Sequence, residues 1–139
     1  MFYYYDPTYF LLIPGLLLAL YAQFKVTSTF NHWKQVSSRV RMTGAQIARA
    51  ILDSNGCRDV TIEPVRGSLT DHYDPRTNVI RLSDSVYDNT STASIGVACH
   101  EAGHAVQYAR NYAPIKLRAA IVPITNFGSK LSMPLILIG

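Results

Sequence analysis

Two histidines stand four residues apart in the run VACHEAGHAVQ, Val97–Gln107, with a glutamate directly after the first. A helix turns about 100° per residue, so His100 and His104 fall one turn apart on one face. Their imidazoles can converge on a single ion at Zn–N distances of about 2.0–2.1 Å. Glu101 is rotated off that face, close enough to reach a water on the ion but not placed as a ligand. Zinc lowers the pKa of such a water to roughly 7, so Glu101 can take its proton. The chemistry supported is metal-assisted hydrolysis with Zn2+ as cofactor, His100 and His104 as ligands and Glu101 as general base. Ala93, Gly96, Ala102 and Gly103 around them are small, which predicts the close approach of another element and room above the ion. Two glycines cost a helix about 1 kcal/mol each, a cost that needs a packing or functional reason.

Other metal chemistries fit less well. The Glu-x-x-His pair of di-iron bundles needs a second such pair and two further glutamates, and the chain holds only Glu63 and Glu101. The extended metzincin motif needs glycine at 107 and histidine at 110, where Gln107 and Arg110 stand. A catalytic zinc usually has three protein ligands. Glu63, His72, Asp84 and Asp88 are the candidates for the third place. Glu63 reads equally as a solvated strand residue, and His72 reads better as a hairpin residue bonded to Asp71 or Asp74. Tyr73 and Arg81 could bind a substrate carbonyl or carboxylate. His32 has no spaced partner and receives no ligand role. Cys57 and Cys99 form no CxxC pair and read as small buried apolar residues.

These residues need elements to hold them. The loop SDSVYDNTST leads into the HExxH helix, with Ser91 or Thr92 as its cap. Upstream, Thr43 and Gln46 have capping-box spacing, and Gly56 suits a C′ stop, so a helix is predicted over about 44–55. Val60 and Ile62 alternate with polar residues, and Pro64 confines that strand to an edge. LTDHY and NVIRL flank DPRT and read as a hairpin. The strand at about 77–82 could hold an extended substrate by β-pairing.

With 139 residues the chain has room for one compact domain; 48% are hydrophobic and 16% charged, against about 25% charged in soluble domains. That balance predicts that part of the chain lies in lipid. The net charge of +4 is mild and clustered, not a stripe for nucleic acid. Thr8–Phe24, TYFLLIPGLLLALYAQF, carries no charge and reads as a transmembrane anchor, with Tyr3, Tyr4, Tyr5, Tyr9 and Tyr21 as interfacial aromatics. Lys25, Lys34, Arg39, Arg41 and Arg49 follow it before any acidic residue, so the positive-inside rule places the downstream domain in the cytoplasm. The expected layout is an anchor over 1–26, a basic connector over 27–42, a catalytic domain over 43–113, and an apolar helical segment over 114–139. That last segment would begin a further membrane span. It stops inside LILIG, so a fragment of a longer protein is expected. The expected fold class is α+β: an N-terminal transmembrane helix, then a small zincin-like domain with a short antiparallel β-hairpin and an HExxH helix.

Three blocks in order, GSLTDHYDPRTNVIRLSDSVY, VACHEAGHAVQYA and YAPIKLRAAIVP, resemble the YugP-type neutral zinc metallopeptidases, membrane-embedded bacterial proteins. The resemblance runs from the N-terminal apolar run to the end of the chain. It implies that His100 and His104 are zinc ligands and that Glu101 is the catalytic acid/base. It also implies further chain beyond Gly139, with transmembrane segments and an acidic motif as the source of the third ligand. The expected function is that of a membrane-anchored zinc metallopeptidase of gluzincin type, acting on peptide or protein substrates and in contact with membrane lipid. The alternative is a non-catalytic membrane scaffold that keeps a structural zinc helix.

Overall fold

The capping-box spacing at Thr43 and Gln46 forms as predicted. Thr43 Oγ1 accepts the Gln46 N–H at 3.2 Å, and Gln46 Oε1 accepts the Thr43 N–H at 2.9 Å. In the computed structural model, which describes residues 10–138, this box opens α2 (Gly44–Ser54) after a long first helix, α1 (Leu12–Lys34). Gly56 follows α2 at φ +76°, the left-handed stop that glycine adopts without steric cost. Strands β1 (Thr61–Val65), β2 (His72–Asp74) and β3 (Val79–Ser83) come next, then the single turn α3 (Asp84–Tyr87). The chain ends in α4 (Thr92–Ala109) and α5 (Ala113–Ile138).

The three strands form one sheet in the order β1-β3-β2. β2 and β3 are the expected hairpin, antiparallel with Tyr73 opposite Ile80. Its turn is held by Asp74, whose carboxylate accepts the Arg76 N–H at 2.9 Å and the Thr77 hydroxyl at 3.0 Å. Asn78 takes φ +57°, a conformation asparagine tolerates. β1 lies on the outer edge, as Pro64 requires, but pairs parallel with β3. Val79, Ile80, Leu82 and Ser83 of β3 are buried, while the two outer strands are largely open to solvent.

The core forms where α2 and α4 cross over this sheet. Ala48 and Leu52 of α2 meet Ala98, Ala102 and Ala105 of α4, with Ile80, Leu82 and Val86 beneath. Small residues at i, i+4 and i+7 let the two helices approach closely. At the start of α2, a Cβ on Gly44 would collide with the Val86 carbonyl oxygen. Ser91 is the cap of α4; its Oγ accepts the Ser94 N–H at 3.2 Å.

The transmembrane reading is overturned. Among the described residues no helix is long and apolar enough to cross a membrane. α1 has 23 residues, but its apolar stretch ends near Phe24. The rest of the helix carries Lys25, Thr27, Ser28, Thr29, Asn31, His32 and Lys34. A span needs about 20 mostly apolar residues in a row, and half of α1 does not supply them. The described part of the expected anchor, residues 10–26, therefore belongs to no membrane-crossing helix, and the positive-inside argument for a cytoplasmic domain loses its basis. Tyr3, Tyr4, Tyr5 and Tyr9 lie outside the described residues. Instead, α1 continues as helix through residues 27–34 and buries Phe30. α5 fails as a span for the same reason, since Lys116, Arg118, Asn126 and Lys130 interrupt its apolar residues.

Candidate active site

One face of α4 is fixed by the alanines in the core, so the opposite face can only point outward. His100 and His104 are on that outward face. Their Nε2 atoms lie 3.0 Å apart, with ring centroids at 4.4 Å and ring planes at 76°. Nδ1–H of His104 donates to Gln107 Oε1 at 3.2 Å. That bond directs the other nitrogen, Nε2, toward His100. Glu101 sits where the exposed and buried faces meet. It is 8% exposed, and its carboxylate makes no hydrogen bond among the described residues.

The histidines open onto a cleft of about 580 Å³. β2 and its turn, from Asp71 to Arg76, form one wall. α5 forms the other through Ile115, Arg118, Ala119, Val122 and Asn126. Glu101 also borders a smaller hollow of about 280 Å³ beside Asp71, Gly96 and Val97. Tyr108, one turn beyond His104, closes the floor and makes an edge contact with Tyr73 at 6.1 Å.

Of the other candidates, only His72 and Tyr73 reach this cleft. His72 is exposed on its rim, and its Nδ1–H donates to the Thr70 carbonyl at 2.9 Å, not to Asp71 or Asp74. Tyr73 donates its hydroxyl to Asn78 Oδ1 at 2.9 Å, and burial pushes its pKa above the ordinary phenol value. Glu63 lies on β1 and faces Arg81 at 3.6 Å, half exposed. Arg81 also meets Asp74 at 3.7 Å, so neither Glu63 nor Arg81 borders the cleft. Asp84 and Asp88 are exposed at the ends of α3, away from the cleft. Cys99 is half-buried and points elsewhere; burial raises its thiol pKa.

Two expectations need correction. β3 cannot pair with a substrate, because β1 and β2 occupy both of its edges; the free edge beside the cleft belongs to β2. Nor do Gly96 and Gly103 admit a neighbouring element here. A Cβ at either would meet no atom within 4 Å, and the close packing is made by the alanines. The α5 wall was not anticipated. Ile115, Arg118, Ala119, Val122 and Asn126 recur at helical spacing, a signal present in the sequence but masked by the apolar residues between them.

Residues 8–139 match the family model described as "Putative neutral zinc metallopeptidase". The chain belongs to that family. It is 49% identical over 130 residues to "Putative membrane protease YugP" of Bacillus subtilis (strain 168), a match covering 94% of this chain and 57% of the relative. The chain thus spans little more than half the length of the curated relative it matches. No solved structure matches it.

A zinc metallopeptidase family sets a test for the donor set. Two imidazole nitrogens on one tetrahedral zinc would stand about 3.3 Å apart, from Zn–N bonds of about 2.05 Å. The pair on α4, at 3.0 Å, needs to open by only a few tenths of an ångström. The 3.0 Å separation suits a proton shared between the rings, and a cation can take that proton's place. The two histidines therefore fit zinc as a pair. Among the described residues, no group of three or more His, Cys, Asp or Glu side chains converges to hold a metal.

Proposed function

We propose that this chain carries the catalytic helix of a zinc-dependent peptidase. The observation that carries the reading is the geometry of α4: two Nε2 atoms 3.0 Å apart beside a carboxylate with no hydrogen-bond partner among the described residues, all on one cleft. Zinc, when bound, supplies Lewis acidity, polarising a carbonyl and making water acidic enough to attack near neutral pH. His100 and His104 hold the ion from consecutive turns, and Gln107 keeps the His104 tautomer that leaves Nε2 free. Glu101 accepts the proton of the attacking water and then delivers it to the leaving amine. An extended peptide lies along the free edge of β2, where backbone pairing brings its amide past the histidines.

The third donor comes from outside the described residues, since none of the described candidates, His72 included, converges with the pair. The apolar, exposed half of α1, including Leu16, Leu17, Leu18 and Leu20, offers membrane lipid a surface, in keeping with the word "membrane" in the relative's name. A structural zinc staple is disfavoured, because such sites are closed by four protein ligands and this one opens onto a cleft.

The test compares Glu101→Gln with His100→Ala in the zinc-loaded protein. Glu101→Gln should bind zinc as the parent does and lose about 10²–10⁴-fold in peptide hydrolysis. His100→Ala should lose zinc as well. Full hydrolysis by the Glu101→Gln protein would sink the mechanism.

A further inference from the structure

Three arginines are engaged by groups of the chain, whereas the exposed Arg39, Arg41, Arg58 and Arg66, away from the cleft, have no side-chain partner among the described residues. Arg49 reaches Asp53 at 2.9 Å and the Val60 and Cys57 carbonyls at 2.6 and 3.0 Å. Arg81 faces Glu63 and Asp74, and Arg110 donates to Asn55 Oδ1 at 2.7 Å. Two arginines line the cleft, Arg76 on the hairpin turn and Arg118 on α5. Neither guanidinium has a hydrogen-bond or carboxylate partner among the described residues. Arg118 does not merely lie near the cleft. It sits on the α5 stripe of Ile115, Ala119 and Val122 that forms the wall facing the histidines.

Asp71, Asp74 and Glu101 line the same cleft, yet none of them forms an ion pair with either arginine among the described residues. Asp71 spends its carboxylate on Ser83, accepting the N–H at 2.7 Å and the hydroxyl at 3.0 Å. Asp74 is taken by its own turn and by Arg81, and the turn's N–H and hydroxyl donors hold its pKa below the usual carboxylate value. Glu101 lies on the α4 side and likewise pairs with neither arginine. Two unpaired guanidiniums therefore flank the path an extended peptide would take, one from each wall. A guanidinium presents a planar fork of donors that matches a carboxylate in bidentate fashion.

We propose that Arg118, assisted by Arg76, selects peptides bearing a carboxylate close to the scissile bond. This deepens the peptidase reading and rests on it for the bond that is cut. The carboxylate can come from an Asp or Glu side chain or from the peptide's own C-terminus. Arg118 is a specificity residue: it holds one end of the substrate and takes no part in proton transfer.

The experiment measures binding and cleavage separately, in nonionic detergent. The probes are short unstructured peptides with a neutral dye, in three forms: C-terminal acid, C-terminal amide, and amide with an internal Glu. Fluorescence anisotropy with the metal-free protein should show the two acidic forms binding about tenfold tighter than the neutral one, the ratio expected of a charge-assisted hydrogen bond. Whichever acidic form binds tighter identifies the source of the carboxylate. Arg118→Gln should erase the ratio without weakening the neutral peptide, and Arg118→Lys should keep part of it. Equal binding of all three forms, or an equal loss for acidic and neutral peptides in Arg118→Gln, overturns the proposal. Cleavage is then followed with zinc present. An acidic preference in binding with no cleavage of any peptide would count against the peptidase reading and leave this selectivity standing.

Discussion

The two helices that border the cleft, α4 with the histidines and α5 as a wall, are built on opposite principles. α4 turns Ala98, Ala102 and Ala105 into the core at 0–1% exposure, so its outward face has one possible orientation. α5 has no such buried face. Among its residues with described side chains, all are exposed except the half-buried Ile115, and Leu117, Ile124 and Phe127 are 61–70% exposed. The side chains proposed to hold metal and move protons are on the fixed helix. The arginine proposed to choose the substrate is on the loosely seated one. Chemistry requires sub-ångström placement, whereas charge recognition tolerates movement, so this division matches each task to the rigidity it needs.

Stability measurements can break that contrast directly. Leu52 is fully buried between α2 and α4, so Leu52→Ala should cost about 2–5 kcal/mol through lost burial and a cavity. Ile124→Ala on α5 should change stability by less than about 0.5 kcal/mol. Urea unfolding of both variants checks this. A comparable loss from Ile124→Ala would mean that α5 is packed as firmly as α4, and the division would fail.

The sequence displays the packed helix far better than the exposed one. Thr43 with Gln46, Ser91 before an apolar-small helix, and DPRT between two strand-like runs are local signals, decided within a few residues, and each formed as read. The spacing of His100 and His104 is local too, and α4 brings the pair together. The parallel pairing of β1 with β3 was not legible, because it joins Ile62 to Ile80 across the whole hairpin and no local pattern specifies it. The run from Thr8 to Phe24 misled by its hydropathy. Its helix continues past Lys25 to Lys34, and among the described residues the apolar part is too short to cross a membrane. On α5 the same emphasis on hydropathy hid the stripe that carries Arg118.

A finer contrast lies within the fixed helix. Gln107 touches His104 but is itself exposed, so it supports metal binding without supporting the fold. Gln107→Leu should lower zinc affinity by about 10–100-fold, the usual cost of losing a ligand's supporting hydrogen bond. Gln107→Glu should retain it, since a carboxylate also accepts from Nδ1–H. Zinc competition against a chelator of known affinity gives the numbers, and urea unfolding of the metal-free proteins should stay within about 0.5 kcal/mol. Unchanged zinc affinity in Gln107→Leu would show that packing alone orients His104.

The smallest effect tests what the open face of α4 is for. Gly96 and Gly103 lie within about 60° of His100 around the helix, and a Cβ at either meets nothing within 4 Å. Glycine in a helix interior costs about 0.5–1 kcal/mol relative to alanine, so Gly103→Ala should stabilise the protein by that amount. Gly44→Ala is the opposing control: its Cβ would collide with the Val86 carbonyl, and it should destabilise by about 1–3 kcal/mol. If Gly103→Ala stabilises and peptide binding is unchanged, the space beside His104 is unused and the glycine has no role in the cleft. If it stabilises while binding or hydrolysis falls, the missing side chain leaves room for substrate, and the open face of α4 is part of the cleft. If it destabilises, something packs on that face, and the face described as open is covered.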